Sequence, residues 1–346
     1  FLRVQRESDY GHWSVTSDSK EGVAHMLNLR KMAKAAGLIV PYYTATVWGG
    51  AYVPDGEALP VLSGYVDAPW ADHVQEMPTN TNFIFSSYKM DDTIGSDFSK
   101  KEENNFTFNI HKNPYLTAEL GGGLQVTSHR RTYPWPEDIQ AQALCMLGSG
   151  ANLLGYYMYH GGINPDGKYS TLQESRATGY NNDLPIKSYD FQTCIRESGE
   201  INTSFGALKK LHLFISSFGE ILAGADTYFA QKQPESADDC HTLRMAAIVN
   251  ISDGLGFLFV NNHQRKRRMD DHREYNVRIV WEGGEKILGH INIKGGECAV
   301  FPFRIPGGTE TGNGKELMPV SLLPAWTNAS LLCRLGKRIF FWSDLE

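Results

Sequence analysis

The stretch YLTAELGGG, residues 115–123, decides how this sequence is interpreted. Its first part, residues 115–120, is predicted to form a buried strand. Three consecutive glycines then end the strand and are expected to leave the backbone bare beside Glu119. A carboxylate at such a place suits a catalytic site, and by the local pattern alone it also suits an ordinary surface loop. The surrounding sequence has to decide between the two.

Strands and helices alternate on both sides of this stretch. The other predicted strands are residues 1–5, 38–44 and 152–159, and the predicted helices are residues 21–36, 137–147 and 201–216. This alternation is typical of parallel sheets and predicts an α/β region over residues 1–220. Segments rich in Gly, Pro, Asp and Asn follow predicted strands at residues 48–60 and 164–185, and long loops of this kind usually serve a site.

The pattern changes beyond residue 220. Short apolar strands separated by Gly, Asp and Asn turns are predicted at residues 243–250, 256–261, 276–281, 286–293 and 298–303. Because no helical period intervenes, we expect a separate antiparallel, sandwich-like β domain over residues 221–346.

The composition excludes several classes of partner. The chain has 346 residues and a formal net charge of −6, which argues against nucleic-acid binding. Its one basic cluster, residues 265–268, precedes Asp270 and Asp271 and is interpreted as a solvated loop or strand end. No apolar run reaches the roughly 18 residues that a membrane span needs. Neither metal-ligand spacing nor a phosphate-binding loop is present, so no metal and no cofactor is expected.

The cysteines and the first residues bear on the compartment. The five cysteines are scattered singly, which favours reduced thiols and the cytoplasm. Residues 1–5 have the character of a strand already under way and lack an initiator Met, so we expect an N-terminal part of the protein to precede them. Secretion stays open because any leader would lie there. The sequence predicts no oligomeric state.

Two acidic sites follow predicted strands. Glu7, Ser8 and Asp9 come directly after residues 1–5, and Glu119 closes the strand quoted above. Cleavage of a glycosidic bond with retention needs two carboxyl groups about 5–5.5 Å apart, one as acid/base and one as nucleophile. Two strands of one barrel can bring two carboxyl groups that close.

Polar residues downstream of the glycines offer this carboxylate hydrogen bonds. His129, Arg130 and Arg131 are candidates for holding it ionised. They are equally suited to be ordinary surface groups.

Six stretches follow one another in the order seen in a known family. They are VQRESDYGH (4–12), TATVWGGAYVPDGE (44–57), LTAELGGGLQ (116–125), YYMYHGGINP (156–165), SYDFQ (188–192) and GFLFVNN (256–262). On these stretches, from residue 1 to about residue 303, the sequence resembles glycoside hydrolase family 35.

The resemblance implies a (β/α)₈ barrel followed by β domains, and a retaining β-galactosidase that removes terminal β-linked galactose by double displacement. The family's acid/base follows the fourth barrel strand and its nucleophile follows the seventh. This implies that Glu119 is the nucleophile and that Asp9 stands at the acid/base position. By the same count the chain starts near the fourth strand, so only the C-terminal part of the barrel is expected here. We expect that part to be inactive and poorly soluble by itself.

The resemblance also implies which residues bind the galactoside substrate. They are Ser8, Trp48, Tyr159, His160, Asn164 and Tyr189. For His160 a structural, hydrogen-bonded role is an equal alternative. Trp48, like Trp135, is a candidate for stacking on a sugar face, with core or loop packing as the alternative.

The acid/base stretch departs from the family pattern. Where relatives have ENE, residues 7–9 are ESD. An aspartate is one methylene shorter than a glutamate and withdraws the proton donor by more than about 1 Å, a misplacement that can cost roughly 10²-fold in rate. Three possibilities stay open: Asp9 as acid/base, Glu7 in its place, or no competent acid.

The SYDFQ stretch departs as well. Relatives often have SYDY followed by APLG, whereas this chain has SYDF and then TCIR at residues 193–196. Phe191 cannot donate a hydroxyl hydrogen bond, so Tyr189 or Tyr159 would have to do so. Two alternative functions follow from these departures: a degenerate, non-catalytic galactoside-binding protein, and a related retaining β-glycosidase with a different sugar preference.

Overall fold

The computed structural model describes residues 2–4, 20–46, 53–54, 56–71, 76–87, 109, 112–168, 175, 183–306, 319–320, 330–336 and 338–343. The chain divides into two compact units. The first comprises Phe1–Met77, Tyr88–Tyr133 and Ala151–Glu200, and the second comprises Pro78–Ser87, Pro134–Gly150 and Ile201–Glu346. Segments of the two units therefore alternate along the chain. The domain boundary predicted near residue 220 stays a prediction.

The first unit contains a five-stranded sheet. Its strands, in both spatial and chain order, are β1 (Leu2–Val4), β2 (Tyr42–Thr46), β3 (Leu59–Gly64), β4 (Tyr115–Leu120) and β5 (Ala151–Tyr156). Every neighbouring pair is parallel. The predicted α/β class with a parallel sheet is therefore confirmed, whereas a complete (β/α)₈ barrel stays a proposal.

The strand β3 is not among the predicted strands. Pro60 stands near its start and has no N–H to donate, which lowers the strand expectation for residues 59–64. In the sheet β3 is central, and every residue after Leu59 is buried. The strand count from β1 to β5 now equals the five strands, fourth to eighth, that the resemblance assigns to this part of the chain.

Helix α1 (Lys20–Ala35) lies between β1 and β2 in the chain. Gly37 follows it with φ of +86°, a conformation that glycine adopts without strain, and its N–H donates to the Lys34 carbonyl at 3.0 Å. The strand predicted from residue 38 begins only at Tyr42. The start of that prediction was wrong because Ile39, apolar as it is, is 77% exposed in the turn before β2.

The second unit contains two helices and an antiparallel sheet. The helices are α2 (Pro136–Gly148) and α3 (Thr203–Ala223), and a 3₁₀ turn covers Thr81–Phe83. The sheet has the order β13–β10–β9–β8, with β8 at Asp226–Phe229, β9 at Arg244–Val249, β10 at Gly256–Asn261 and β13 at Cys298–Phe303. The antiparallel strands predicted in this part of the chain are confirmed.

Four two-stranded ribbons complete the described structure. In the first unit β6 (Gly162–Ile163) pairs with β7 (Ser188–Tyr189). In the second unit the pairs are β11 (His272–Trp281) with β12 (Gly284–Ile293), β14 (Ile305–Pro306) with β15 (Pro319–Val320), and β16 (Ser330–Leu335) with β17 (Arg338–Trp342).

Helix α3 shows how the second unit buries its apolar residues. The helix begins after Asn202, whose side chain accepts a hydrogen bond from the Thr203 N–H at 2.8 Å. Phe214 and Phe218 lie on its buried face and contact the ring of Phe257 on β10, with centroids 5.2 and 5.4 Å away. Loss of either ring would leave a cavity in this layer.

The basic cluster at residues 265–268 is partly buried, so the solvated-loop interpretation was wrong for Arg265. The Arg265 side chain is 12% exposed and forms an ion pair with Asp138, which also accepts from His263 Nε2 at 2.8 Å. Burial raises the pKa of Asp138, but the hydrogen bond from His263 and the positive charge of Arg265 outweigh that effect and lower it. Arg267, by contrast, is half exposed and pairs with Asp238.

Candidate active site

Glu119 lies near the carboxyl end of β4. It is 7% exposed and stands opposite Ser63 in the parallel register with β3. Because parallel strands end at the same edge of a sheet, the residues that follow β3 reach the Glu119 carboxylate. Tyr65, directly after β3, donates its hydroxyl to Glu119 Oε2 at 3.1 Å. The buried carboxylate is thus oriented by a neighbouring strand end.

Tyr65 is a functional candidate that sequence reasoning missed. It is 4% exposed, and its ring meets Trp70 edge to face with centroids 4.8 Å apart. Its position after a strand is the signal that would have found it, and that signal was lost because β3 itself was not predicted.

The three glycines after Glu119 are buried and packed, so they do not leave bare backbone beside the carboxylate. Gly121 donates its N–H to the Gly64 carbonyl at 2.7 Å. A Cβ on Gly122 would lie 2.4 Å from the Met158 carbonyl oxygen, and one on Gly123 would lie 2.2 Å from the Phe191 carbonyl oxygen. Glycine is required here because other backbone segments occupy the space of a side chain.

The polar residues downstream of the glycines tie two loops together. His129 Nε2 lies 2.7 Å from the Ala71 carbonyl oxygen, and Arg130 forms a buried ion pair with Asp67 at 3.3 Å. Arg131 is exposed. These contacts connect the segment after Glu119 to the loop after β3. They indicate a supporting role for His129 and Arg130, and the predicted hydrogen bonds to Glu119 stay a prediction.

Aromatic residues of the stretches 156–165 and 188–192 come together beside β5. The hydroxyls of Tyr157 and Tyr189 form a hydrogen bond, and the Tyr189 and Phe191 rings have centroids 4.6 Å apart. Phe191 also contacts Tyr157 edge to face at 5.7 Å. Tyr157 belongs to the quoted stretch 156–165 but is not among the predicted site residues.

Tyr159 is half-buried next to Tyr156, with ring centroids 5.6 Å apart. Burial raises the pKa of the Tyr159 hydroxyl, and the neighbouring Cys194 raises it further. The hydroxyl therefore stays protonated at neutral pH and keeps a hydrogen to donate. Tyr159 and Tyr189 stay the predicted sources of the hydroxyl that Phe191 lacks.

His160 and Asn164 use their side chains locally. His160 is exposed, and its Nδ1 contacts the Gly161 carbonyl. The Asn164 backbone N–H donates to the Lys187 carbonyl at 2.8 Å, and its side-chain Nδ2 donates to the Ile186 carbonyl at 3.3 Å. The contact of His160 fits the structural alternative stated for it, and the bonds of Asn164 link the segment after β6 to the segment before β7.

The remaining predicted site residues lie outside the described residues. They are Glu7, Ser8, Asp9 and Trp48. Trp135 belongs to the second unit and is 60% exposed. Within the described ranges, no group of three His, Cys, Asp or Glu side chains has the arrangement of a metal site. The helices described here are also too short or too polar to cross a membrane.

One family model matches this chain, and its description is glycosyl hydrolases family 35. The match covers residues 48–215 and so includes β4 with Glu119, the three glycines and the stretches 156–165 and 188–192. The stretches at residues 4–12 and 256–262 lie outside it, and their likeness to the family stays a resemblance. Over residues 48–215 the chain is a member of glycoside hydrolase family 35.

Proposed function

We propose that the protein is a retaining β-galactosidase that hydrolyses terminal β-linked galactose, with Glu119 as the nucleophile. The observation that carries this proposal is a buried carboxylate at the end of a parallel strand, oriented by Tyr65 and lying inside the family match. Burial supports the assignment because a nucleophile in a water-poor site interacts more strongly with the charge that develops on the sugar.

The proposed reaction has two displacements. In the first, a Glu119 carboxylate oxygen forms a bond to the anomeric carbon while the bond to the leaving oxygen breaks, and Asp9 gives its proton to that oxygen. In the second, Asp9 takes a proton from water, the water oxygen bonds to the anomeric carbon, and Glu119 leaves as a carboxylate. The two inversions together retain the β configuration.

The aromatic residues beside β5 support a sugar as substrate. Tyr157, Tyr189 and Phe191 present flat apolar rings, which suit the apolar face of a pyranose. The protonated Tyr159 hydroxyl adds a donor for a sugar oxygen. Discrimination of galactose from other sugars rests on the family resemblance.

The test is to trap the covalent intermediate in the full-length protein. A 2-deoxy-2-fluoro-β-galactoside with an activated leaving group should form a stable adduct, because the fluorine slows its hydrolysis. Peptide mapping by mass spectrometry should place the adduct on Glu119. An adduct on another residue contradicts the nucleophile assignment, and faster labelling by the matched glucoside contradicts the sugar preference.

A degenerate, galactoside-binding protein without turnover is the second candidate. It is favoured by residues 7–9, which are ESD where relatives have ENE. Changing Asp9 to Glu restores the longer side chain of the family. Turnover that rises by roughly 10²-fold indicates a weakened enzyme. Tight galactoside binding with no turnover in either form indicates a binding protein.

A further inference from the structure

The segment that follows Glu119 packs against a turn, here called the Asp190 turn (residues 190–197). Three consecutive residues make contact with it. The Gly122 carbonyl accepts from Cys194 Sγ at 3.7 Å, Gly123 packs against the backbone at residues 191–192, and the Leu124 carbonyl accepts from Gln192 Nε2 at 3.1 Å. The backbone after the nucleophile is therefore fixed at successive positions.

The Asp190 carboxylate determines the shape of this turn. It accepts hydrogen bonds from the Gln192 N–H at 3.1 Å, the Glu197 N–H at 2.8 Å and Arg196 Nε at 2.6 Å. Phe191 and Gln192 have φ of 54° and 53°, a region that non-glycine residues occupy only when their surroundings require it. The three hydrogen bonds to the Asp190 carboxylate hold the turn in this conformation.

The unusual backbone places the Gln192 side chain over the segment from Glu119 onwards. Its Nε2 donates to the Leu124 carbonyl and also to the Thr132 carbonyl, at 2.8 Å. The same backbone presents the Phe191 carbonyl to Gly123. The turn therefore holds both ends of the segment 124–132 while it blocks movement of the glycines next to the carboxylate.

From this geometry we propose that Gln192 is a positioning residue for Glu119. The proposal rests on the proposed function and adds a residue that acts through another. Tyr65 orients the carboxylate directly, and Gln192 fixes the backbone that follows Glu119, at Leu124 and Thr132. Because a shift of about 1 Å in a reacting group can cost roughly 10²-fold in rate, a loosened segment should slow attack on the sugar while sugar binding is retained.

The experiment compares covalent labelling of Glu119 in full-length variants. The probe is the activated 2-deoxy-2-fluoro-β-galactoside, and two constants are measured: the dissociation constant of the reversible complex and the first-order rate of labelling. Gln192→Met keeps the size of the side chain and removes the donor. We expect labelling to slow at least about tenfold, with the dissociation constant changed less than about twofold. The first-order rate counts only molecules that bind the probe, so a smaller folded fraction does not imitate this result.

Two further variants complete the design. Gln192→Lys restores a donor at similar reach and should recover most of the rate. Gln233→Met is the matched control, because Gln233 also donates its amide to a backbone carbonyl, that of Ala230 at 2.8 Å, but lies in the second unit. It should label at the wild-type rate.

The outcomes separate the two proposals. If wild-type protein is labelled at Glu119 and Gln192→Met reacts equally fast with only a lower melting temperature, Gln192 is merely structural and the inference is overturned. If wild-type protein is not labelled at Glu119, the proposed function fails and the inference fails with it. Should Gln192→Met yield no folded protein, Gln192→Asn replaces it, since its amide is one methylene short. Labelling of Gln192→Asn at the wild-type rate also overturns the inference.

Discussion

Two regions of the molecule hold backbone segments by donating to carbonyl oxygens, and their donors differ in charge. In the first unit the neutral amide of Gln192 donates to the carbonyls of Leu124 and Thr132. In the second unit the guanidinium of Arg244 donates to four backbone carbonyls and to the side-chain oxygen of Gln264. Loss of a neutral donor lowers the free energy of unfolding by about 0.5–1.5 kcal/mol per hydrogen bond. Loss of a buried charge costs more, because all its partners lose their hydrogen bonds together.

The Arg244 region connects segments that are distant in sequence. Arg244 is 1% exposed, and its carbonyl partners belong to Phe83, Ala237, Asp239 and His263, at 3.1–3.3 Å. Burial lowers the pKa of Arg244. Arg244 with its acceptors is here called the charged clamp, and Gln192 with its two acceptors the neutral clamp. The difference between them indicates that the charged clamp serves stability, while the neutral clamp sets a geometry beside Glu119.

The largest effect is expected at the nucleophile itself. Glu119→Gln keeps the shape and removes the attacking charge, so kcat/KM on an activated galactoside should fall by roughly 10³-fold or more, with the fold retained. Steady-state kinetics and a thermal melt measure the two quantities. Glu220→Gln, an exposed change on α3, is the control and should leave kcat/KM unchanged.

Arg244→Met should have its main effect on stability, whereas Glu119→Gln affects activity. Four carbonyls and the Gln264 side chain lose a charged donor inside a buried layer, so the free energy of unfolding should fall by about 3–5 kcal/mol. Urea titration followed by circular dichroism measures it. Arg267→Met removes an exposed guanidinium, and its urea midpoint should match that of the wild type. A small change in Arg244→Met would refute the role given to the charged clamp.

Gly123→Ala tests the contact between the glycines and the Asp190 turn. The new methyl carbon would lie 2.2 Å from the Phe191 carbonyl oxygen, so the backbone must shift and kcat should fall by roughly 10²-fold. Gly162→Ala is the matched control, because no atom lies within 4 Å of its Cβ position. Equal kcat in both variants would show that the segment after Glu119 tolerates displacement.

Tyr65→Phe separates direct from indirect positioning. It removes one hydrogen bond to a carboxylate, a contact of about 1.5–3 kcal/mol, and kcat/KM should fall by roughly 10- to 10²-fold. The measurement is the labelling rate of Glu119 by the fluorinated sugar. An unchanged rate would show that Tyr65 does not orient Glu119 for attack.

The smallest effect is a pH dependence at the edge of the charged clamp. Burial raises the pKa of Asp239, but hydrogen bonds from the Thr242 side chain and the His241, Thr242 and Glu235 N–H groups outweigh it and lower the pKa from 3.8 to about 2. A carboxyl whose pKa is lower when folded adds stability above about pH 4, and this contribution is lost as pH falls towards 2.

The variant Asp239→Asn should therefore be less stable than the wild type at pH 5, and the difference should shrink by pH 3. Urea midpoints at pH 5, 4 and 3 measure it. The exposed Asp226→Asn should show no such convergence. A constant difference for Asp239→Asn would mean that its hydrogen bonds do not depend on charge.

Much of the fold could be predicted because local patterns agree with it. Residues 115–120 form β4 with the predicted bounds, since an apolar strand ends in glycines that cannot continue it. The strand β3 could not be predicted, because Pro60 weakens its pattern and its pairing on both sides is long-range. Tyr65 was missed with it, although it contacts Glu119.

The two clamps were also beyond prediction. Positive φ at Phe191 and Gln192 arises from three bonds to Asp190, and neither residue type signals it. Arg244 lies in a strand that was predicted, but a charged residue in an apolar pattern is usually assigned to the exposed face. Its burial depends in part on the Phe83 carbonyl, 161 residues earlier in the chain.

The alternation of segments between the two units has a consequence for synthesis on the ribosome. The segment Pro78–Ser87 belongs to the second unit. The Phe83 carbonyl accepts hydrogen bonds from Arg244 and Asn261, which are synthesised 161 and 178 residues later. At about 5–20 residues per second this delay lasts on the order of ten seconds or more. Throughout it the apolar side chains of Phe83 and Phe85, which are buried in the folded protein, emerge without their partners and leave the nascent chain open to misfolding. Translation speed between residues 87 and 261 should therefore govern the yield of folded protein.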